Sequence, residues 1–250
     1  MSNVTSLFIH GFNSDRDGWR DFLGPIPIWN DLDSIATELI NQTLPQFNIH
    51  ERLVNSLADP AFKTEVVSWN SQRLGKKFLL GASVLFSGSA VDGIHDKWRM
   101  ATEEAPEVGL ELASYINRTV EAGGKLVISA HSLGACVAYH AVKNTRNDIK
   151  IFMFVMAGVA ECYDCECLID DHKNIKCFCN FYNSEDFALS RMLPQMDFPV
   201  NPVGTVEISP ARDGVAFNFE TNFGHSDYKN LRLRAKFVEF THFVDKYRGD

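Results

Sequence analysis

Short runs of β-branched and aromatic residues alternate along this chain with longer stretches in which apolar side chains recur every three or four positions. The runs at residues 6–9, 65–69, 125–129, 150–156 and 175–182 predict strands, and a weaker one at 205–208 predicts a sixth. Their near-continuous apolar character suits strands covered on both faces. Helical spacing puts Leu32, Ile35, Ala36, Leu39 and Ile40 on one face of a predicted helix over residues 32–44, with Asp31 as its cap. Residues 96–122 carry a longer helical pattern, crossed by Pro106 and stopped by Gly123 and Gly124. Further helices are predicted over residues 132–143 and 230–247. Strands alternating with helices mark βαβ units, and so a mostly parallel central sheet flanked by helices. No internal repeat or low-complexity linker divides the chain. Residues 1–250 therefore read as one α/β domain with an insertion at residues 73–96.

Composition narrows the class without changing this picture. A chain of 250 residues that is 45% hydrophobic and 22% charged is neither disordered, collagen-like nor coiled coil. At this length folding hides about three quarters of the unfolded surface, so no disulfide or metal is needed to hold the core. The 32 acidic residues outnumber the 24 basic ones, for a net charge of −8, and no basic block offsets them. A phosphate backbone would be repelled, so a nucleic-acid partner is not expected. The longest apolar stretch, residues 78–91, has 14 positions and includes serines and glycines. A membrane span needs about 18 or more, so no stable membrane insertion is expected. The first residues, MSNVTSLFIHGF, lack the features of a secretory signal, and a cytoplasmic location with reduced thiols is the expectation.

Two local sequences carry chemistry. In residues 126–135, LVISAHSLGA, a strand runs straight into a helix through Ala130-His131-Ser132-Leu133-Gly134. A small residue on each side of x-Ser-x is what a tight strand-to-helix turn demands, because its backbone approaches its neighbours closely. Such a turn exposes the serine hydroxyl above the sheet edge, and the helix N-terminus behind it offers free N–H groups, that of Leu133 first, to a developing oxyanion. The second sequence is Leu7-Phe-Ile-His-Gly-Phe-Asn13, where a strand ends in His10-Gly11. Glycine there lets a backbone N–H turn toward a substrate, making Phe12 the second candidate oxyanion donor.

With these motifs in this order, the chain resembles the α/β-hydrolase superfamily, in particular an intracellular serine-hydrolase-like branch suggested by Trp98 through Ala135 and by Gly224-His225-Ser226-Asp227-Tyr228. Ala130 replaces the commoner glycine of the turn. The resemblance implies an α/β-hydrolase fold with a reduced N-terminal sheet edge, and the order nucleophile, acid, histidine. The acid then falls in the loop after the 175–182 strand, where Asp186 is the first candidate, ahead of Glu185 and Asp164; a helix cap is the plain alternative for Asp186. Of the histidines beyond Ser132, His140 and His242 lie inside helices and His172 precedes the acid. His225, in a glycine-preceded loop, is the expected base. His10 and His131 are expected to shape the oxyanion loop and to pack beside the turn. The implied activity is hydrolysis of carboxylic esters, with a lipid-like or acyl substrate and no cofactor, through Ser132, His225 and Asp186. A thioesterase or amidase would use the same groups, and a non-catalytic interaction protein on the same fold is the alternative from another class.

Five of the six cysteines, Cys162, Cys165, Cys167, Cys177 and Cys179, crowd into one region. Four thiolates could close a structural zinc site, but Cys177 and Cys179 share one face of a strand, where cysteine serves as a small hydrophobe. No metal is assigned. Residues 73–96 fit either a lid over the site or a helix on the sheet edge. Phe217, Phe219 and Phe223, ahead of His225, are candidates to line an apolar pocket.

Overall fold

In a computed structural model, residues 4–12, 64–67, 69, 88–196, 201–229 and 231–247 are described. The helix expected over residues 32–44 and residues 73–87 of the expected insertion lie outside them. Six parallel strands form one sheet in the order β2-β1-β3-β4-β5-β6. They are β1 Val4–Ile9, β2 Thr64–Val67, β3 Lys125–His131, β4 Lys150–Met156, β5 Ile175–Tyr182 and β6 Ala216–Glu220. Four helices of eight residues or more are described: α1 Gly88–Thr119, α2 Gly134–Lys143, α3 Cys162–Asp171 and α4 Leu231–Lys246. The architecture is α/β, with a parallel sheet between helical layers.

Burial explains the apolar runs. Residues Leu126 to His131 of β3 and Ile151 to Met156 of β4 are all buried, because these central strands carry helices on both sides. Successive side chains alternate across the sheet. Phe152 and Phe154 project toward α4, where Phe237 and Phe240 meet Phe154 at ring separations of 5.3 and 5.4 Å. Val155 projects the opposite way, toward Gly158 and Ala135 of α2. On that second face α1 and α2 approach closely at Gly109, where a methyl group would sit 2.5 Å from His140 Cβ. A glycine is therefore required at the crossing, and His140 belongs to this helix contact.

Residues 88–96, the C-terminal part of the expected insertion, are the first turns of α1. That helix begins well before the predicted residue 96 and runs through Pro106. The sixth strand is also corrected. Residues 205–208 form no strand, and the sheet is completed by β6 at Ala216–Glu220. Asn180 donates to the Val206 carbonyl, while Asn218 donates to the Ile208 carbonyl and accepts its N–H. Side-chain amides thus satisfy a strand-like stretch that no backbone ladder pairs. Helix α3 had no prediction over it. Two of the five clustered cysteines belong to its buried stripe: Cys162, Cys165, Leu168 and Ile169 face the core at helical intervals.

Candidate active site

The strand order places the site. The successor of β1, β2, lies on one side of it and the successor of β3, β4, on the other, so the strand order reverses between β1 and β3, the position where parallel sheets carry sites at their carboxyl ends. Ser132 follows β3 directly, and His10, Gly11 and Phe12 follow β1.

Ser132 takes φ +53°, a left-handed conformation that costs a non-glycine residue about 1–2 kcal/mol. Its N–H donates to the Met156 carbonyl at 3.0 Å, and its own carbonyl accepts the N–H groups of Ala135 and Val159. These bonds from β4 and α2 hold the bend. Leu133 follows at φ −62° as the cap of α2 and makes no side-chain capping bond. Gly134 must lack a side chain, because a Cβ there would come within 2.4 Å of the Ile9 carbonyl oxygen. Gly11 is constrained from the other side: a Cβ would lie 2.6 Å from Ser132 Cβ, so the turn that carries the Phe12 N–H runs directly against the serine. Trp69, just beyond β2, fixes this turn by donating its indole N–H to the His10 carbonyl at 3.0 Å. The Phe12 ring meets Trp98 of α1 edge-on at 5.1 Å.

Three of the predicted site residues meet in one line of hydrogen bonds. His225 Nε2 lies 2.8 Å from Ser132 Oγ, and His225 Nδ1 lies 2.9 Å from Asp186 Oδ2. A carboxylate has no proton to give, so Nδ1 carries the imidazole proton and donates it to Asp186. Nε2 then presents its lone pair to the serine hydroxyl. Asp186 is fully buried while His225 remains about a quarter exposed, at 0% and 24% of their side-chain surfaces. The other Asp186 oxygen, Oδ1, accepts the N–H groups of Ala188 and Leu189 at 2.9 and 3.2 Å, so the carboxylate also caps the helical turn Ala188–Met192. The helix-cap role and the contact with the histidine thus coexist on one side chain. Glu185 is exposed and Asp164 sits on α3, away from this line.

The loop carrying His225 is tied at successive positions. Thr221 donates to the Tyr182 carbonyl, Asn183 donates to the Phe223 carbonyl at 2.8 Å, and Gly224 and Asp227 close a turn on each other. His131 donates to the carbonyl of His225 itself at 2.9 Å. Tyr228 is buried beneath the loop, with Phe223 edge-on at 5.6 Å, and burial pushes its hydroxyl up to about 12, so it stays neutral. Phe219 stacks on Phe181 at 4.7 Å, on the edge strand. The residues that the sequence reading missed are Asn183 and Tyr228, along with the specific bond made by His131. Bonds from a side chain to a distant carbonyl leave no spacing pattern to find.

His172 follows α3 and His242 lies within α4, both apart from the serine in the fold. All six cysteines are free, with Cys177 and Cys179 side by side on β5 at 3.8 Å between sulfurs. Burial pushes the Cys136 and Cys162 thiols up to about 12, so at neutral pH they carry their protons and are poor nucleophiles. Among the described residues no group of three or more His, Cys, Asp or Glu side chains could hold a metal ion. None of the described helices is long and apolar enough to cross a membrane. No family model, curated protein or solved structure matches the chain.

Proposed function

We propose that the protein is a serine hydrolase of carboxylic esters, acting through Ser132, His225 and Asp186 on an α/β-hydrolase fold. The observation that carries this reading is the hydrogen-bonded line from a buried carboxylate through an imidazole to a hydroxyl on a left-handed bend. Core histidines and cap serines are common singly, but this geometry requires three groups from three separate loops to converge with the correct tautomer. The strand order, its reversal between β1 and β3 and the glycine-limited contact between the Gly11 turn and the serine support the finer fold assignment.

The steps follow from the geometry. As Ser132 Oγ bonds to the ester carbonyl carbon, its proton passes to His225 Nε2. Asp186 holds Nδ1–H and stabilises the imidazolium. The carbonyl oxygen gains negative charge, and the N–H groups of Leu133 and Phe12 are the donors assigned to stabilise it. Collapse breaks the bond to the alcohol oxygen, which takes the proton from His225. Water, deprotonated by the same nitrogen, then attacks the acyl-serine, releasing the carboxylic acid and restoring the hydroxyl.

A fluorophosphonate probe tests the proposal directly. The wild-type chain is expected to label on Ser132 and to hydrolyse short acyl esters, and Ser132→Ala is expected to lose labelling and about 10⁴-fold or more in hydrolysis. A folded wild type that never labels and cleaves no ester, thioester or anilide would leave the fold serving an interaction, not a reaction.

A further inference from the structure

We propose that His131 is a positioning residue for the base: through its Nε2–H it grips the backbone carbonyl of His225 and so holds that imidazole between Ser132 and Asp186. The inference rests on the hydrolase reading above and extends it to a second histidine that contacts no reacting atom.

The placement is specific. His131 is the last residue of β3, immediately before Ser132, and it is buried. Its Nε2 reaches the His225 carbonyl at 2.9 Å across 94 residues of chain. A carbonyl only accepts, so Nε2 must carry a proton. Burial, and after it the nearby His225, keep the His131 ring well below the ordinary histidine range. The ring therefore stays neutral, and its one proton is committed to that carbonyl. Its plane packs beside the His225 ring at 5.2 Å and beside Tyr228 at 6.0 Å.

What this accomplishes follows from the loop. His225 is preceded by Gly224, whose N–H and carbonyl are both held by Asp227, so the turn before the imidazole is fixed locally and its position relative to the serine depends on longer-range bonds. Asn183 pins the Phe223 carbonyl on one side of that glycine, and His131 pins the His225 carbonyl on the other. Because residues 131 and 132 are consecutive, one strand end carries the nucleophile and also anchors the base. The separation of Ser132 Oγ from His225 Nε2 is then set by a single rigid element instead of two loops. A core histidine with only a packing role would have no reason to bond the one carbonyl that belongs to the base.

The test compares wild type with His131→Gln, which keeps an N–H donor of similar reach, and His131→Phe, which keeps the ring volume and loses the donor. Fluorophosphonate labelling rates, kcat and KM on one ester, and thermal midpoints are measured for each. His131→Phe is expected to lose about 100-fold in kcat and in labelling rate with KM nearly unchanged, the scale of a small misplacement of a reacting group. His131→Gln is expected to recover most of that loss. Equal loss in both folded variants, wild-type rates in both, or a loss confined to KM would overturn the positioning role while leaving Ser132 as the nucleophile. Long-range proton–nitrogen NMR of the wild type gives a readout that needs no variant: His131 is expected protonated at Nε2, and a proton at Nδ1 alone overturns the proposal. A wild type that takes up no probe overturns this inference together with the hydrolase reading, which separates the two failures.

Discussion

Ser132 and Ala157 both hold left-handed backbone angles, φ +53° and +44°, at the ends of neighbouring strands. They are tied together: the Ser132 N–H bonds to Met156, and the Ser132 carbonyl accepts from Val159. Strain held by such a network is tolerated where the bend itself is useful. It predicts an unusual order of stabilities between two variants that both lack the hydroxyl. Ser132→Gly should be more stable than Ser132→Ala by about 1 kcal/mol in urea titration, although glycine usually destabilises relative to alanine. The reverse order would mean that the bend carries no strain. At this scale the sequence was informative for Ser132, Asp186 and His225, because chain order and turn chemistry restrict where such residues fall. It was silent on Asn183 and gave only a general role to His131, whose carbonyl partners lie 40 and 94 residues away.

Elements hold one another through their ends as well as their faces. Lys125 opens β3 and donates its ammonium to the carbonyls of Val244 and Asp245, at 2.7 and 3.0 Å, in the last turn of α4. The Val244 carbonyl also accepts the Tyr247 N–H at 3.2 Å, and a cation at this helix end meets the negative end of the helix dipole. Lys125→Met is expected to cost about 1–3 kcal/mol in urea unfolding, with hydrogen-exchange protection falling first in the last turn of α4. Unchanged protection there would show that packing alone seats the helix. The two elements that sequence misjudged have related causes. Residues 205–208 are apolar and β-branched enough to resemble a strand, yet Asn180 and Asn218 replace the ladder. Helix α3 was obscured because its buried stripe is partly cysteine, which reads as chemistry before it reads as core. The strands β1 and β3 to β5 were legible because full burial demands apolar runs.

Across the whole molecule, several histidines are kept neutral by the fold. Burial lowers His131, His140 and His172 from the ordinary value of 6.5. The unfolded chain therefore binds protons on these residues that the folded chain does not. Their contribution to stability is intact above pH 6.5 and is lost as pH falls from there toward the lower folded values. Urea midpoints should fall between neutral pH and about pH 5, and a flat midpoint would show that these rings titrate freely. The parallel sheet and its helical layers were legible from alternation alone, but the order β2-β1-β3 was not, since periodicity does not say which side of a strand its successor takes. That order has a temporal consequence. Gly11, Ser132, Asp186 and His225 stand far apart along the polypeptide and become neighbours only when strands distant in sequence have paired. Such distant pairing is slow to form. During refolding, reactivity toward a phosphonate should therefore return with the slowest phase, after helical content, making the serine a clock for completion of the native state.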